Sequence, residues 1–306
     1  MSRRRDQDAP PVLFLVDKPE GATSHDVVQM IRRWTGVRRV GHGGTLDPLA
    51  TGLLPVFVGG ATRMVEYLVE HRKSYTATLR LGQATDTDDS EGQVILEGPV
   101  PELSLADLSE ALSPFRGEVE QVPPVYSAVK VGGVVAHRAA RRGEPVDRPP
   151  RTVNVYELEA EVWEAPFLQI RMTVGSGTYV RAIARDLGEA LGCGAHVVEM
   201  RRTAIGPISA DNAHTPDQLE AAADAGQILD LAISPRAFFE HWPRVVASED
   251  QRRTLLHGQA IWAASHPDER FMLALGKDGE LIAVLSPGPE AAGRWQPVKV
   301  LARQRK

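Results

Sequence analysis

Residues 41–58, GHGGTLDPLATGLLPVFV, constrain this chain more than any other segment. Three glycines at 41, 43 and 44 are followed by Asp47-Pro48 and then by a short apolar run. A glycine loop that opened a helix would point to a nucleotide fold; this one opens a strand, so the Rossmann fingerprint does not apply. No Lys-Ser/Thr pair follows the glycines, which removes the P-loop. The HGG triplet resembles an esterase oxyanion loop, but no G-x-S-x-G elbow accompanies it. What remains is a loop that tolerates positive φ and close approach of another group. Within it, Pro48 restricts the backbone of Asp47 and so aims one carboxylate. The plainer reading is a turn joining a helix to a strand.

The neighbouring patterns set the fold class. VLFLV at 12–16 reads as a buried strand, and a helix follows with Ser24 as N-cap, Val27, Val28, Ile31 and Trp34 on one face, and Gly36 as its stop. LLPVFVGG reads as a strand whose Pro55 puts it near an edge or a start, followed by a helix from Thr62 to His71. SYTATLRL alternates strictly, with Tyr75, Ala77, Leu79 and Leu81 pointing one way. A helix over 104–112, a strand over 152–162 and a second alternating strand, LQIRMTV, come next. A strong helix through Val180, Ile183, Ala184, Leu187 and Leu191 ends at Gly192. Residues 211–234 form a peripheral helix and linker, and three more strands follow near the C-terminus. Strands scattered between helices predict an α+β fold: a mixed, largely antiparallel sheet flanked by helices, with a small C-terminal β domain. The expected division is residues 1–240 and 241–306.

Composition narrows the function classes. No apolar run of membrane-spanning length and no signal-peptide core are present, so a soluble cytoplasmic protein is expected. The single cysteine, Cys193, excludes a disulfide within the chain and any multi-cysteine metal site. Asp86, Asp88, Ser90 and Glu97 fit an EF-hand frame, but Glu91 stands where glycine is needed, so a solvated acidic loop is the better reading. The net charge is −5, yet residues 84–110 hold eight acidic side chains and residues 211–234 hold five, with no Lys or Arg in either. Outside those stretches 27 acidic side chains face 35 basic ones, so the overall acidity does not exclude RNA. Basic groups lie at Arg32, Arg33, Arg38 and Arg39, at Arg138, Arg141, Arg142, Arg148 and Arg151, and at Arg201 with Arg202.

Taken together, VDKPEGATSHD, GHGGTLDPLATGLLPVFVG, KSYTATLRLGQATDTDDSEG, VPPVYSAVKVGG, GSGTYVRAIARDLG and EMRRTAIGP resemble the tRNA pseudouridine-55 synthases, the TruB type of pseudouridine synthase. They run in order from residue 13 to residue 207. The resemblance implies the pseudouridine synthase fold and isomerisation of a uridine in the T-loop of tRNA, with no cofactor; no His or Cys cluster has zinc spacing, so no metal is expected either. The C-terminal β region is similar to small PUA-like RNA-binding domains on general pattern alone. A buried uracil must be flipped out at a cost of a few kcal/mol, and stacking on aromatic rings returns about 1–3 kcal/mol.

The same resemblance assigns the site. Asp47 is the implied nucleophile, attacking either the base or the ribose carbon, and Arg181 pairs with it, keeps it ionised and aims it. Tyr75 stacks on the target base with its hydroxyl near the proton lost from carbon 5. Tyr179 is a second pocket wall, and Met200 lies beneath the base where leucine is common, a volume-conserving departure. His42 fills the gap left by the flipped nucleotide. Lys18 is a basic group near the site, Asp89 a polar contact on its rim, and the arginines of 138–151 meet phosphates.

Two other readings stay open. One is an RNA-binding or RNA-folding protein without chemistry, against which the intact Asp47, Tyr75 and Arg181 speak. The other is a guide-RNA-dependent synthase; the first motif begins by residue 13 and the chain ends soon after the β region, which favours a stand-alone enzyme. The expected partner is the tRNA T-arm, with no membrane and no protein partner required, and a monomer is the default in the absence of a sustained heptad.

Overall fold

A computed structural model of the chain describes residues 10–126, 130–131, 134–135, 146–264, 268–288 and 293–302. It divides into two compact units: Met1–Leu46, Leu54–Val69 and Asn212–Lys306 form the first, Asp47–Leu53 and Glu70–Asp211 the second.

The first unit opens with strand β1 (Val12–Lys18) and helix α1 (Ser24–Thr35). Thr23, not Ser24, caps α1: its hydroxyl accepts from the Asp26 N–H while the Asp26 carboxylate accepts from the Thr23 N–H. The reciprocal bonds satisfy two orphan donors at once and free Ser24 to turn inward. Val27, Val28 and Ile31 are buried, each stabilising by about 1.5–3 kcal/mol. Gly36 ends the helix in the left-handed region, φ 68°. Strand β2 (Val40–His42) pairs antiparallel with the later part of β3 (Thr51–Val58). Pro55 lies inside β3 rather than at its start; it sits between the residues paired to β2 and those paired elsewhere, and its carbonyl accepts the Gly43 N–H at 2.8 Å. The α-helix expected over Thr62 to His71 is instead a 3-10 run, Gly59–Glu70, whose start is tied by the Thr62 hydroxyl donating to the Gly59 carbonyl at 3.0 Å.

The second unit carries the long sheet. Its strands are β4 (Lys73–Leu81), the hairpin β5 (Gln83–Thr85) and β6 (Val94–Glu97), then β7 (Gly117–Gln121) after helix α2 (Leu105–Ala111). The two-residue strands β8 (Lys130–Val131) and β9 (Val134–Val135) pair with each other. Strands β10 (Arg151–Glu164) and β11 (Phe167–Val174), helix α3 (Val180–Ala190), β12 (Ala195–Ile205) and β13 (Ile208–Ser209) complete it. The order β12-β4-β11-β10-β7 is antiparallel throughout, while Thr51 and Gly52 run parallel to β12 opposite Arg201 and Arg202. The predicted mixed, largely antiparallel sheet is therefore present. Its inner face is the alternation read from sequence: Ala77, Leu79, Leu81, Leu168, Ile170 and Met172 are buried.

The rest of the first unit begins with helix α4 (Pro216–Asp224), capped by Thr215. The C-terminal β region follows as β14 (Arg244–Val246), helix α5 (Glu249–Leu256), β15 (Ile261–Trp262), β16 (Met272–Leu275), β17 (Leu281–Pro287) and β18 (Arg294–Val300). These five strands form their own sheet, β14-β16-β17-β18-β15, around a core that includes Leu255, Ile261, Met272, Ile282, Leu285 and Trp295. Two short strands and helix α5 go beyond the three strands expected there. Among the described residues no helix is long and apolar enough to cross a membrane.

Candidate active site

Asp47 and Arg181 meet in the second unit. The Asp47 segment is anchored on one side by the pairing of Thr51 and Gly52 with β12 and by Arg202, whose buried Nε donates to the Leu53 carbonyl at 2.7 Å. Gly52 is required there: its φ is +95°, and a Cβ would stand 2.3 Å from the Arg202 carbonyl oxygen. On the other side Arg181 projects from the first turn of α3, with Nη2 2.9 Å from Asp47 Oδ2.

Arg181 is 4% exposed, so it is no surface helix arginine. Its Nη1 lies 3.1 Å from Asp89 Oδ2 and donates to the Thr87 carbonyl at 2.9 Å, while Nη2 also donates to the Tyr126 carbonyl at 3.0 Å. Two carboxylates and two main-chain carbonyls thus fix one guanidinium, a geometry that a planar fork satisfies and an ammonium does not. Asp89 was expected on the rim of the site; instead it is 2% exposed and lies beneath Arg181. Its Oδ1 accepts from Thr87 Oγ1 at 2.5 Å and from the Glu91 N–H at 3.1 Å. The asymmetry matters chemically. Asp89 is sealed in, whereas the Asp47 side chain stays 32% exposed and open to an incoming group.

The acidic loop is tightly built rather than a solvated run. Ser90 N–H donates to the Val197 carbonyl and Val197 N–H to the Asp88 carbonyl, pinning the loop to β12. Asp88 adopts φ 61°, rare for a residue with a side chain, and pairs with Arg185 at 3.3 Å. Burial pushes its carboxyl up to about 6, outweighing the opposing pull of Arg185. Arg185, one turn after Arg181 on α3, also bonds Asp186 and the Val122 carbonyl.

The remaining expected residues fall in two places. Tyr75 is half-buried near the start of β4, opposite Met172 on one side and Arg202 on the other, on the face that carries Ala77. Met200 lies opposite Ala77 and is 7% exposed. Tyr179 occupies the N-cap of α3, with the Arg151 guanidinium 5.9 Å from its ring centroid. These residues share the second unit with Asp47 and Arg181. Lys18 and His42 belong to the first unit. Lys18 is fully buried, its ammonium donating to the Pro19 and Ala22 carbonyls at 2.8 and 2.6 Å, and His42 ends β2. Arg138, Arg141 and Arg142 lie outside the described residues.

Arg185 and Lys73, both half-buried, were not singled out in the sequence, and Arg202, which stood there only among the basic groups, is buried. Lys73 donates to Ser176 Oγ and to the His71 carbonyl, and burial, with Arg202 nearby, holds its amine down at about 8. Nothing local marks such residues, because their burial depends on partners distant in sequence. Among the described residues no cluster of His, Cys, Asp and Glu is arranged to hold a metal ion.

The TruB family pseudouridylate synthase N-terminal domain matches residues 32–180, and the tRNA pseudouridylate synthase B C-terminal domain matches residues 181–236. A tRNA pseudouridine synthase B of Dehalococcoides mccartyi is 39% identical over 285 residues, 93% of this chain and 94% of its own. The chain belongs to the TruB family. Another member, from an Arthrobacter species, is 40% identical over 303 residues, covering 95% of this chain and 96% of its own. A third, from Xanthomonas axonopodis pv. citri, is 42% identical over 268 residues, 87% of each chain. In the crystal structure of a Cbf5-Nop10-Gar1 complex, one chain superposes with a TM-score of 0.71 at 27% identity, covering 99% of this chain and 88% of that one. The archaeal box H/ACA sRNP Nop10-Cbf5 complex shares the fold, with a TM-score of 0.70 at 24% identity. Between the two TruB domains, Asp47 comes from the first matched stretch and Arg181 is the opening residue of the second.

Proposed function

We propose that this chain isomerises uridine to pseudouridine at position 55 in the T-loop of tRNA, with Asp47 as nucleophile. The observation that carries the reading is the Asp47–Arg181–Asp89 arrangement, one open carboxylate and one sealed carboxylate on a shared guanidinium. Relatives named tRNA pseudouridine synthase B, 39–42% identical over most of the chain, support tRNA as the substrate, and the matching chain of the Cbf5-Nop10-Gar1 complex stands lower, at 27%.

The reaction is balanced without an oxidant or a cofactor. The bond between ribose and base nitrogen breaks, the base turns, and a carbon–carbon bond forms at carbon 5. The proton on carbon 5 is lost, and the released nitrogen gains one. Asp47 forms the transient covalent bond, to base or ribose, and Arg181 holds the carboxylate in line for it. Tyr75 is suited to stack on the flipped base and to sit near the departing proton. Met200 offers an apolar floor and Tyr179 a second wall. His42 takes the space vacated in the RNA stack, and Arg148 and Arg151 meet phosphates. The enzyme acts as a monomer in the cytoplasm, and its C-terminal β region serves as a PUA-like RNA contact.

The test is to incubate the protein with an unmodified tRNA transcript, without added metal, and map pseudouridine by carbodiimide labelling and primer extension. A single stop at the T-loop uridine is expected. Stops elsewhere, or none while tRNA still binds, would overturn the substrate assignment or the chemistry, respectively.

A further inference from the structure

Helix α3 starts without the side-chain cap that α1, α2, α4 and α5 possess, although it carries Arg181 in its first turn. Its N-cap, Tyr179, is held instead by a residue 58 positions earlier. Gln121, the last residue of β7 and the only fully buried one in that strand, is 3% exposed. Its Oε1 accepts the Tyr179 N–H at 2.8 Å and its Nε2 donates to the Tyr179 carbonyl at 3.0 Å. Both polar ends of one amide are therefore spent on the main chain of one residue, as a ladder partner in a sheet would be. The same carbonyl accepts the first helical bond, from the Ile183 N–H, at 3.3 Å. The five residues after Gln121 extend the grip, with the Val122 carbonyl on Arg185 and the Tyr126 carbonyl on Arg181.

We propose that Gln121 is a positioning residue for the isomerisation: its buried amide sets the main chain of Tyr179, and with it the ring of Tyr179 and the turn from which Arg181 reaches Asp47. The inference rests on the proposed function for its kinetic consequence and on the hydrogen bonds alone for its structural one. A side chain that fixes the direction of a helix turn acts on the bound reactive geometry, where a displacement near 1 Å costs about 10²-fold in rate.

The experiment compares Gln121→Met, which keeps shape and removes both bonds, with Gln121→Glu, which keeps the acceptor for the Tyr179 N–H and loses the donor. For each, kcat and KM on a T-arm RNA and the amide exchange of Tyr179 are measured in the full-length protein. Gln121→Met should lower kcat about 10²-fold with KM unchanged, and speed Tyr179 exchange about tenfold, the worth of one net hydrogen bond. Gln121→Glu should lower kcat less and leave Tyr179 exchange slow. Unchanged kcat in both variants, a rise in KM alone, or unaltered Tyr179 exchange in Gln121→Met would each overturn the proposal. If the unaltered protein converts no uridine, the functional reading fails, while Tyr179 exchange still decides the clamp.

Discussion

Arg181 carries more structural duty than any other single side chain in this site, and its substitutions separate charge from shape. Arg181→Met leaves Asp89 as a buried, unpaired carboxylate and should cost about 3–5 kcal/mol in urea unfolding. Arg181→Lys keeps the charge but cannot span two carboxylates and two carbonyls; kcat should fall about 10²-fold with little change in KM, read by single-turnover kinetics. Asp88 gives a pH signature of its own. Its carboxyl is raised in the fold from the ordinary 3.8 to about 6, so the folded state favours the protonated form. The stabilisation is full below about 4 and is lost as pH rises to about 6, on the order of 2–3 kcal/mol. Asp88→Asn should flatten that slope in denaturation curves across the window; an unchanged slope would mean another group is responsible. At this scale the motifs pointed to Asp47 and Arg181, whereas the burial of Asp89, Gln121 and Arg202 was not legible. Each is buried because its polar atoms meet partners far along the chain, such as Tyr179 for Gln121 and the Leu53 carbonyl for Arg202.

Among the elements, helix α3 shows where local preference and packing disagree. Gly188 sits inside the helix, where alanine ordinarily adds about 1 kcal/mol. A Cβ at that position would lie 2.1 Å from the Ala195 nitrogen and 2.4 Å from the Gly194 carbonyl carbon, so the helix can lie this close to the chain only with glycine. Gly188→Ala should therefore destabilise by about 2 kcal/mol or more, measured by thermal or urea unfolding; a gain would show that the backbone relaxes freely. Period-two alternation made β4, β10 and β11 readable, because one face is core and the other solvent. The helix expected over Thr62 to His71 is a 3-10 run, Gly59–Glu70; its buried residues Ala61, Met64 and Leu68 recur at a spacing that does not distinguish an α-helix from a tightened one. The cap of α1 was misplaced by one residue because Thr23 and Ser24 are both good caps, and only the reciprocal bond with Asp26 decides between them.

For the whole molecule, a net charge of −5 must coexist with binding to a polyanion. Part of the first acidic stretch is occupied with structure: Asp88 and Asp89 pair with arginines, and Asp86 accepts the Gln93 N–H. Binding of tRNA should therefore weaken with salt, with a log–log slope of roughly −0.7 to −0.9 per phosphate neutralised. Arg151→Gln should reduce the magnitude of that slope by about one and leave kcat at saturating RNA intact; an unchanged slope would remove Arg151 from the RNA face. The central claim, that Asp47 makes this chain an isomerase of tRNA uridine, is tested most directly by tritium release. The protein and its Asp47→Asn variant are incubated with tRNA bearing tritium at carbon 5 of uridine, without added metal or cofactor. Release by the unaltered protein and none by the variant, at equal tRNA binding, is the predicted result; equal release by both, or none by either, would contradict it.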